Sequence, residues 1–149
     1  MGDGTDRAEV EAIIQEKNLK HIKLLGFKQK RELRELIKGS ICTITPSEWY
    51  ETFGLTLIES FACGKPVIAS GIGGMTEIIT NGVDGYHIEP GNSLELRERM
   101  EWMGLHRNKA IEMGRLGRKK VEEKFNAQQH YQKLMEVYEQ ALGKSQKVL

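Results

Sequence analysis

The chain has 149 residues, the size of one domain with room for a sizeable core. Its 22 basic and 21 acidic residues leave a net charge of +1, which removes any electrostatic case for nucleic acid as a partner. The two cysteines, Cys42 and Cys63, sit beside apolar neighbours and read as buried thiols of a reducing compartment. A metal site would need more ligands at closer spacing.

Taken in order, helical and strand-like segments alternate. Gly2-Asp3-Gly4-Thr5 reads as a turn, and Asp6 with Glu9 forms a candidate cap for a helix carrying Val10, Ile13 and Ile14. His21 to Leu25 has the apolar content of a strand, and Gly26-Phe27-Lys28 follows as its loop. Lys30 to Lys38 is a charged helix with a narrow stripe of Leu33, Leu36 and Ile37, ended by Gly39. Its cations alternate with Glu32 and Glu35, as on a solvated face.

The stretch from Ile41 to Gly64 organises the rest. Ile41 to Thr45 is a β-branched run that reads as a buried strand, and Pro46-Ser47 ends it. A polar and aromatic loop follows, and Gly54 opens a helix that runs to Cys63. Gly64 stops that helix, and Pro66 forbids its return. At about 100° per residue, Leu57, Ile58, Phe61 and Ala62 form one apolar stripe, with Thr56, Ser60 and Cys63 on the other side. Amides at a helix start lack intrahelical partners and sit in the positive potential of the macrodipole, so Leu55, Thr56 and Leu57 suit a phosphate. Glu59 falls roughly 6 Å along the axis from Leu55, where a carboxylate can accept two hydrogen bonds from a ribose diol beside a diphosphate. Glu51, ahead of the turn, faces what lies beyond the phosphate.

Val67 to Ser70 is the next strand, followed by Gly71-Ile72-Gly73-Gly74 and a short helix from Met75 to Thr80. This is not a dinucleotide fingerprint, because Thr76 holds the place of the third glycine. The glycines favour close backbone approach to a sugar or diphosphate, with a tight turn as the alternative. Asn81-Gly82 and Asp84-Gly85 are turn dipeptides leading into a strand from Tyr86 to Glu89. Asn92 with Glu95 makes a capping box for a helix bearing Leu94, Met100 and Met103. A second helix spans about His106 to Phe125, weakened or broken near Gly114 and Gly117. A third starts at Asn126 with Gln129 and carries Tyr131, Leu134, Tyr138 and Leu142 on a face expected to meet the core; residues after Gly143 read as a frayed tail. The expected fold is α/β and doubly wound, with a mainly parallel sheet and ligands at the carboxyl ends of its strands.

The run Glu51-Thr-Phe-Gly-Leu-Thr-Leu-Ile-Glu59, continued by Ser-Phe-Ala-Cys-Gly-Lys-Pro-Val-Ile-Ala-Ser, resembles the E-x7-E signature of retaining glycosyltransferases of the GT-B fold, the large group often called family 4 or group 1. Gly2-Asp3-Gly4, Leu24-Leu25-Gly26-Phe27, Gly73-Gly74-Met75-Thr76-Glu77 and Asn81-Gly82-Val83-Asp84-Gly85 are similar to other segments of that family's C-terminal domain. The resemblance implies that residues 1–149 are a Rossmann-like, nucleotide-sugar-binding C-terminal domain, truncated on its N-terminal side. The family's first strand, its basic diphosphate-clamping loop and its acceptor domain would lie before Met1. It further implies that Glu59 holds the ribose diol and Glu51 contacts the transferred sugar. Backbone amides of Phe53, Gly54 and Leu55 would meet sugar hydroxyls, and those of Thr56 and Leu57 a phosphate. Phe27 and Lys28 would meet the nucleobase, with a core aromatic as the equal alternative for Phe27.

The implied reaction moves a hexosyl group from a nucleoside diphosphate sugar to a glycan or lipid-linked acceptor, as in polysaccharide biosynthesis, without a metal ion or other cofactor. The isolated chain is expected to be inactive. A sugar-nucleotide epimerase of the same scaffold and a non-catalytic nucleotide-sugar-binding module are the alternatives. With no signal peptide and no apolar run near 18 residues, the expected location is the cytoplasm, and for the intact enzyme the inner membrane face is a further option. In the family's sheet order, His21–Leu25 would lack its neighbour and the strand Ile41–Thr45 would present a bare edge. Three outcomes follow: self-association, pairing with another chain, or relocation of His21–Leu25 beside that edge.

Overall fold

The structure, a computed structural model, describes residues 4–145; the turn expected at Gly2-Asp3 and the end of the tail lie outside the described residues. The helices are α1 (Arg7–Glu16), α2 (Lys30–Gly39), α3 (Leu55–Ala62), α4 (Met75–Ile78), α5 (Ser93–Leu105), α6 (Arg107–Lys124) and α7 (Ala127–Ser145). The strands are β1 (Thr43–Thr45), β2 (Val67–Ser70) and β3 (Gly85–Ile88). The chain divides into two units, Met1–Leu36 and Ile37–Leu149.

In the second unit the strands form one parallel sheet in the order β1-β2-β3. Thr43 pairs with Val67, and Val67 with Gly85. β2 is central and buried along its whole length, so its alternation sorts residues between two covered faces. Val67 and Ala69 join Leu57 and Phe61 of α3 and Met75 and Ile78 of α4 in one core. Ile68 points the other way, into a core with Ile88, Met103 of α5, and Ala110 and Met113 of α6. α6 serves both cores, because Val121 packs on the first, as does Phe125 just past the helix end. This is the doubly wound arrangement expected, with β1 shortened to three residues.

α6 is continuous through both of its glycines. Gly114 and Gly117 are buried contact points rather than breaks. A Cβ on Gly114 would stand 2.1 Å from the Gly64 carbonyl oxygen, and one on Gly117 would stand 2.4 Å from the Phe61 ring. Two helices can approach this closely only where side chains are missing, and that packing offsets the lower helix propensity of glycine. The seam is tied further by Arg118, whose guanidinium donates to the Ala62 carbonyl. Lys120 donates to the Ile78 carbonyl at 2.8 Å and to the Thr80 hydroxyl at 2.8 Å, and forms an ion pair with buried Asp84.

Other expectations require correction. Ser60 is buried rather than on the outer side of α3; its hydroxyl accepts from Thr43 Oγ1 at 2.8 Å and donates to the Thr56 carbonyl at 2.7 Å. The face that α3 buries is wider than its apolar stripe, because a hydroxyl can be covered once both of its bonds are made. On α5 only Met103 of the three expected residues is buried, while Leu94 and Met100 are exposed. The face of α7 bearing Tyr131, Leu134, Tyr138 and Leu142 is exposed as well. Periodicity says which residues share a face, not whether another element covers it. Asn92 does cap α5, accepting from the Glu95 amide at 3.0 Å, but the Glu95 carboxylate returns to the Glu89 amide instead of the Asn92 amide. Asn126 likewise accepts from the Gln129 amide at 2.9 Å, as expected. The helix is still regular at Lys144 and Ser145.

In the first unit, α1 forms without any buried residue, and Val10 and Ile13 are exposed. Asp6 precedes the helix but its side chain caps nothing, accepting instead from the Thr5 hydroxyl at 2.9 Å. His21–Leu25 is not a strand. A strand is defined by its ladder, and among the described residues no strand pairs with this segment, whatever its apolar content. Among the described residues β1 pairs only with β2, and its other edge has no ladder partner.

Candidate functional site

Because β1 and β2 are adjacent and parallel, the loops leaving them lie side by side at the carboxyl edge of the sheet. Their backbones interlock. The Gly74 amide donates to the Glu51 carbonyl at 2.9 Å. A Cβ on Gly73 would stand 2.6 Å from that carbonyl oxygen, and one on Gly74 would stand 2.5 Å from the carbonyl oxygen of Thr52. The space freed by these glycines is therefore filled by the chain's own loop, not left open for a ligand to approach. The effect is to hold Glu51, Thr52 and Phe53 in place ahead of α3.

Gly54 turns the chain into α3 with φ 81° and ψ 54°, the left-handed region that penalises any side chain. It is buried, and a Cβ there would meet Met75 Cγ at 3.3 Å. No side chain caps α3. The Leu57 amide donates to the Gly54 carbonyl at 3.0 Å, and among the described residues the Leu55 and Thr56 amides have no acceptor. Leu57 itself is a core side chain, so only its backbone belongs to the turn. Glu51, Phe53, Leu55, Thr56 and Glu59 are all exposed around it. The turn thus offers open amides, positive helix potential and two exposed carboxylates in one short segment, an arrangement able to bind a phosphate beside polar hydroxyls.

Sequence reading missed the neighbours of this turn. A cavity of about 430 Å³ is lined by Phe53, Leu55 and Ile58 on one side and by Lys124, Phe125 and His130 on the other. The Phe53 and Phe125 rings meet edge to face with centroids 6.2 Å apart. No local motif marks residues so distant in sequence; the α3–α6 seam brings them here. Phe27 and Lys28 belong to the first unit. Phe27 is 64% exposed, not a core aromatic, and Lys28 forms an ion pair with Glu32 at 2.6 Å.

Cys42 and Cys63 are free thiols and only half-buried, less enclosed than expected, and burial pushes the Cys42 thiol above its ordinary value. Among the described residues, no group of three or more His, Cys, Asp or Glu is placed to hold a metal ion, and no helix is long and apolar enough to cross a membrane.

The chain is 36% identical over 100 residues to an uncharacterized glycosyltransferase of Methanocaldococcus jannaschii, covering 67% of this chain and 28% of that protein. It is 33% identical over 135 residues to sucrose synthase 1 of Oryza sativa subsp. japonica, covering 83% of this chain and 16% of that one. Among solved structures, sucrose-phosphate synthase of Thermosynechococcus elongatus superposes with TM-score 0.80 at 28% identity, over 95% of this chain and 35% of that one. Anabaena HepE in complex with UDP-glucose superposes with TM-score 0.82 at 26% identity, over 93% of this chain and 39% of that one. The chain therefore spans well under half of each of these proteins, and its α/β fold is that of the Rossmann-like domains of GT-B glycosyltransferases. Residues 1–120 match the model of the family Glycosyl transferases group 1, and the chain belongs to that family.

Proposed function

We propose that residues 1–149 are the nucleotide-sugar-binding C-terminal domain of a retaining glycosyltransferase. The intact protein would pass a hexosyl group from a nucleoside diphosphate sugar to a glycan or lipid-linked acceptor. The observation that carries this reading is the uncapped start of α3, with two amides lacking an acceptor between Glu51 and Glu59. The likeness to HepE, solved with UDP and with UDP-glucose, supports it.

In this reading the diphosphate lies on the Thr56 amide and shares the Leu57 amide with the Gly54 carbonyl. Glu59 accepts from the ribose diol. Glu51 faces the transferred sugar, whose hydroxyls also meet the backbone of Phe53, Gly54 and Leu55. These groups are set before the ligand arrives, because Gly54 and the interlocked loops already hold the turn. Amides aimed at a leaving diphosphate stabilise the charge that develops as the glycosidic bond breaks, an electrostatic contribution of the oxyanion-hole kind. The assignment of Phe27 and Lys28 to the nucleobase, and of transfer without a metal ion, rests on the family resemblance. Two free cysteines support a cytoplasmic location. The bare edge of β1 supports self-association of the isolated chain, which light scattering would reveal as a mass above that of the monomer. None of the relatives described above favours the epimerase or the non-catalytic reading.

Titration calorimetry with uridine, guanosine and adenosine diphosphates tests the site. One of them should bind, and Glu59→Ala should weaken it by about 1–3 kcal/mol through loss of charge-assisted bonds. Equal affinities would remove Glu59 from the site. Sugar transfer by the isolated 149-residue chain to any acceptor would contradict the domain assignment, and in the intact enzyme turnover should survive EDTA.

A further inference from the structure

The amino edge of the sheet, opposite the turn described above, carries a second concave feature. Ser40 and Ile41 ahead of β1, and Gly64 to Pro66 ahead of β2, meet the early turns of α6 around a cavity of about 360 Å³. Lys65, Arg107 and Arg115 line it, and among the described residues no acidic one does. Four other cations of α6 are paired, whereas Lys124 at its far end has no ion pair among the described residues. Lys109 pairs with Glu112 at 2.9 Å, Arg118 with Glu122 at 2.6 Å, Lys119 with Glu123 at 3.7 Å, and Lys120 with Asp84. Among the described residues, Lys65, Arg107 and Arg115 have no carboxylate within ion-pairing distance.

Their placement concentrates charge. Arg107, Ile111 and Arg115 recur every fourth residue and so share one face of α6. Lys65 reaches the same cavity from the loop that follows α3. Arg107 is also the first residue of an 18-residue helix that has no side-chain cap. Ile41 and Ile111 supply an apolar wall. Three cations lining one cavity give it a positive potential, and a phosphate seated there would take charge-assisted bonds from the guanidiniums.

We propose that this cavity binds a phosphate group, carried by a small phosphorylated metabolite or by a phospholipid headgroup, on Arg107, Arg115 and Lys65. The site is separate from the α3 turn and does not depend on the donor-binding reading.

The test uses the 149-residue chain with inorganic phosphate and pyrophosphate, followed by amide chemical shifts at constant ionic strength. Saturable shifts at Lys65, Arg107 and Arg115 are expected. The R107Q/R115Q double variant should raise the dissociation constant at least tenfold while its melting temperature without phosphate stays level or rises. In a second arm, vesicles of phosphatidylglycerol and of phosphatidylcholine are sedimented with each protein. Retention on the former alone, lost in R107Q/R115Q, would assign the phosphate to a lipid headgroup. Shifts confined to Leu55 and Thr56, or binding by the double variant within twofold of the original, would overturn the proposal. So would failure to bind both the free anions and the anionic vesicles. Because the shifts are read on the unaltered chain, a variant that folds poorly does not rescue or sink the site.

Discussion

The two ends of α3 are built by opposite rules. At its start, Gly54 makes a left-handed turn, no side chain caps the helix, and Leu55, Thr56 and Glu59 are exposed. At its end, the backbone closes on itself. The Gly64 amide donates to the Phe61 carbonyl at 2.8 Å and the Lys65 amide to the Ser60 carbonyl at 3.0 Å, with Gly64 itself at φ 72°. That closed end lies under Gly114 of α6, with no space for a methyl group. One end leaves backbone polar groups open, and the other closes them inside the fold. Stability should therefore be concentrated at the closed end and binding at the open one.

The largest effect is expected from Gly114→Ala. Its Cβ would overlap the Gly64 carbonyl, part of the backbone that cannot rotate away, so the variant should lose about 3 kcal/mol. At this chain length that is a fall in melting temperature of roughly 6–12 °C. An unchanged melt would show that the seam between α3 and α6 is looser than described. Asp84→Ala should cost a similar amount, about 3 kcal/mol in urea unfolding, because it strands the mostly buried ammonium of Lys120. If Asp84→Ala and a paired Asp84→Ala/Lys120→Met variant were equally unstable, the loss would lie in the turn before β3 and not in the stranded charge.

Glu59→Gln makes the contrasting case at the open end. It should leave the melting temperature within about 2 °C, since exposed substitutions move stability by about 0.5 kcal/mol at most, yet weaken nucleoside diphosphate binding several-fold. A steep loss of stability would reassign Glu59 to a structural role. Gly54→Ala should affect both properties, with about 1–2 kcal/mol lost to the left-handed backbone and a further loss of affinity as the turn shifts. The smallest effect concerns Cys42, packed against the core beneath β2. Burial raises its thiol in the folded state, so the folded chain keeps that proton more tightly than the unfolded one. This contribution is fully present below the ordinary value of 9.0 and is lost as the pH climbs from there towards the folded value. Cys42→Ala should flatten that alkaline decline in denaturant melts taken at successive pH values.

Local chemistry made much of this molecule readable from its residues alone. The central strand Val67–Ser70 falls where its apolar run places it, and Gly54 and Gly64 mark the two ends of α3. Asn92 and Asn126 cap their helices, and the E-x7-E run points to the family later shown by comparison. Each of these signals acts over a few residues, through backbone freedom, capping bonds or side-chain alternation. The tertiary structure decided whatever needs a distant partner. His21–Leu25 has a strand's composition but no ladder, and the apolar face of α7 has the right period but is exposed. Gly114 and Gly117, read as weak points of a helix, are where α6 meets Gly64 and Phe61. Gly73 and Gly74, read as room for a ligand, make room for the Glu51–Thr52 backbone. A glycine's missing side chain is visible in sequence, but what occupies the vacated space depends on which segments the fold brings together.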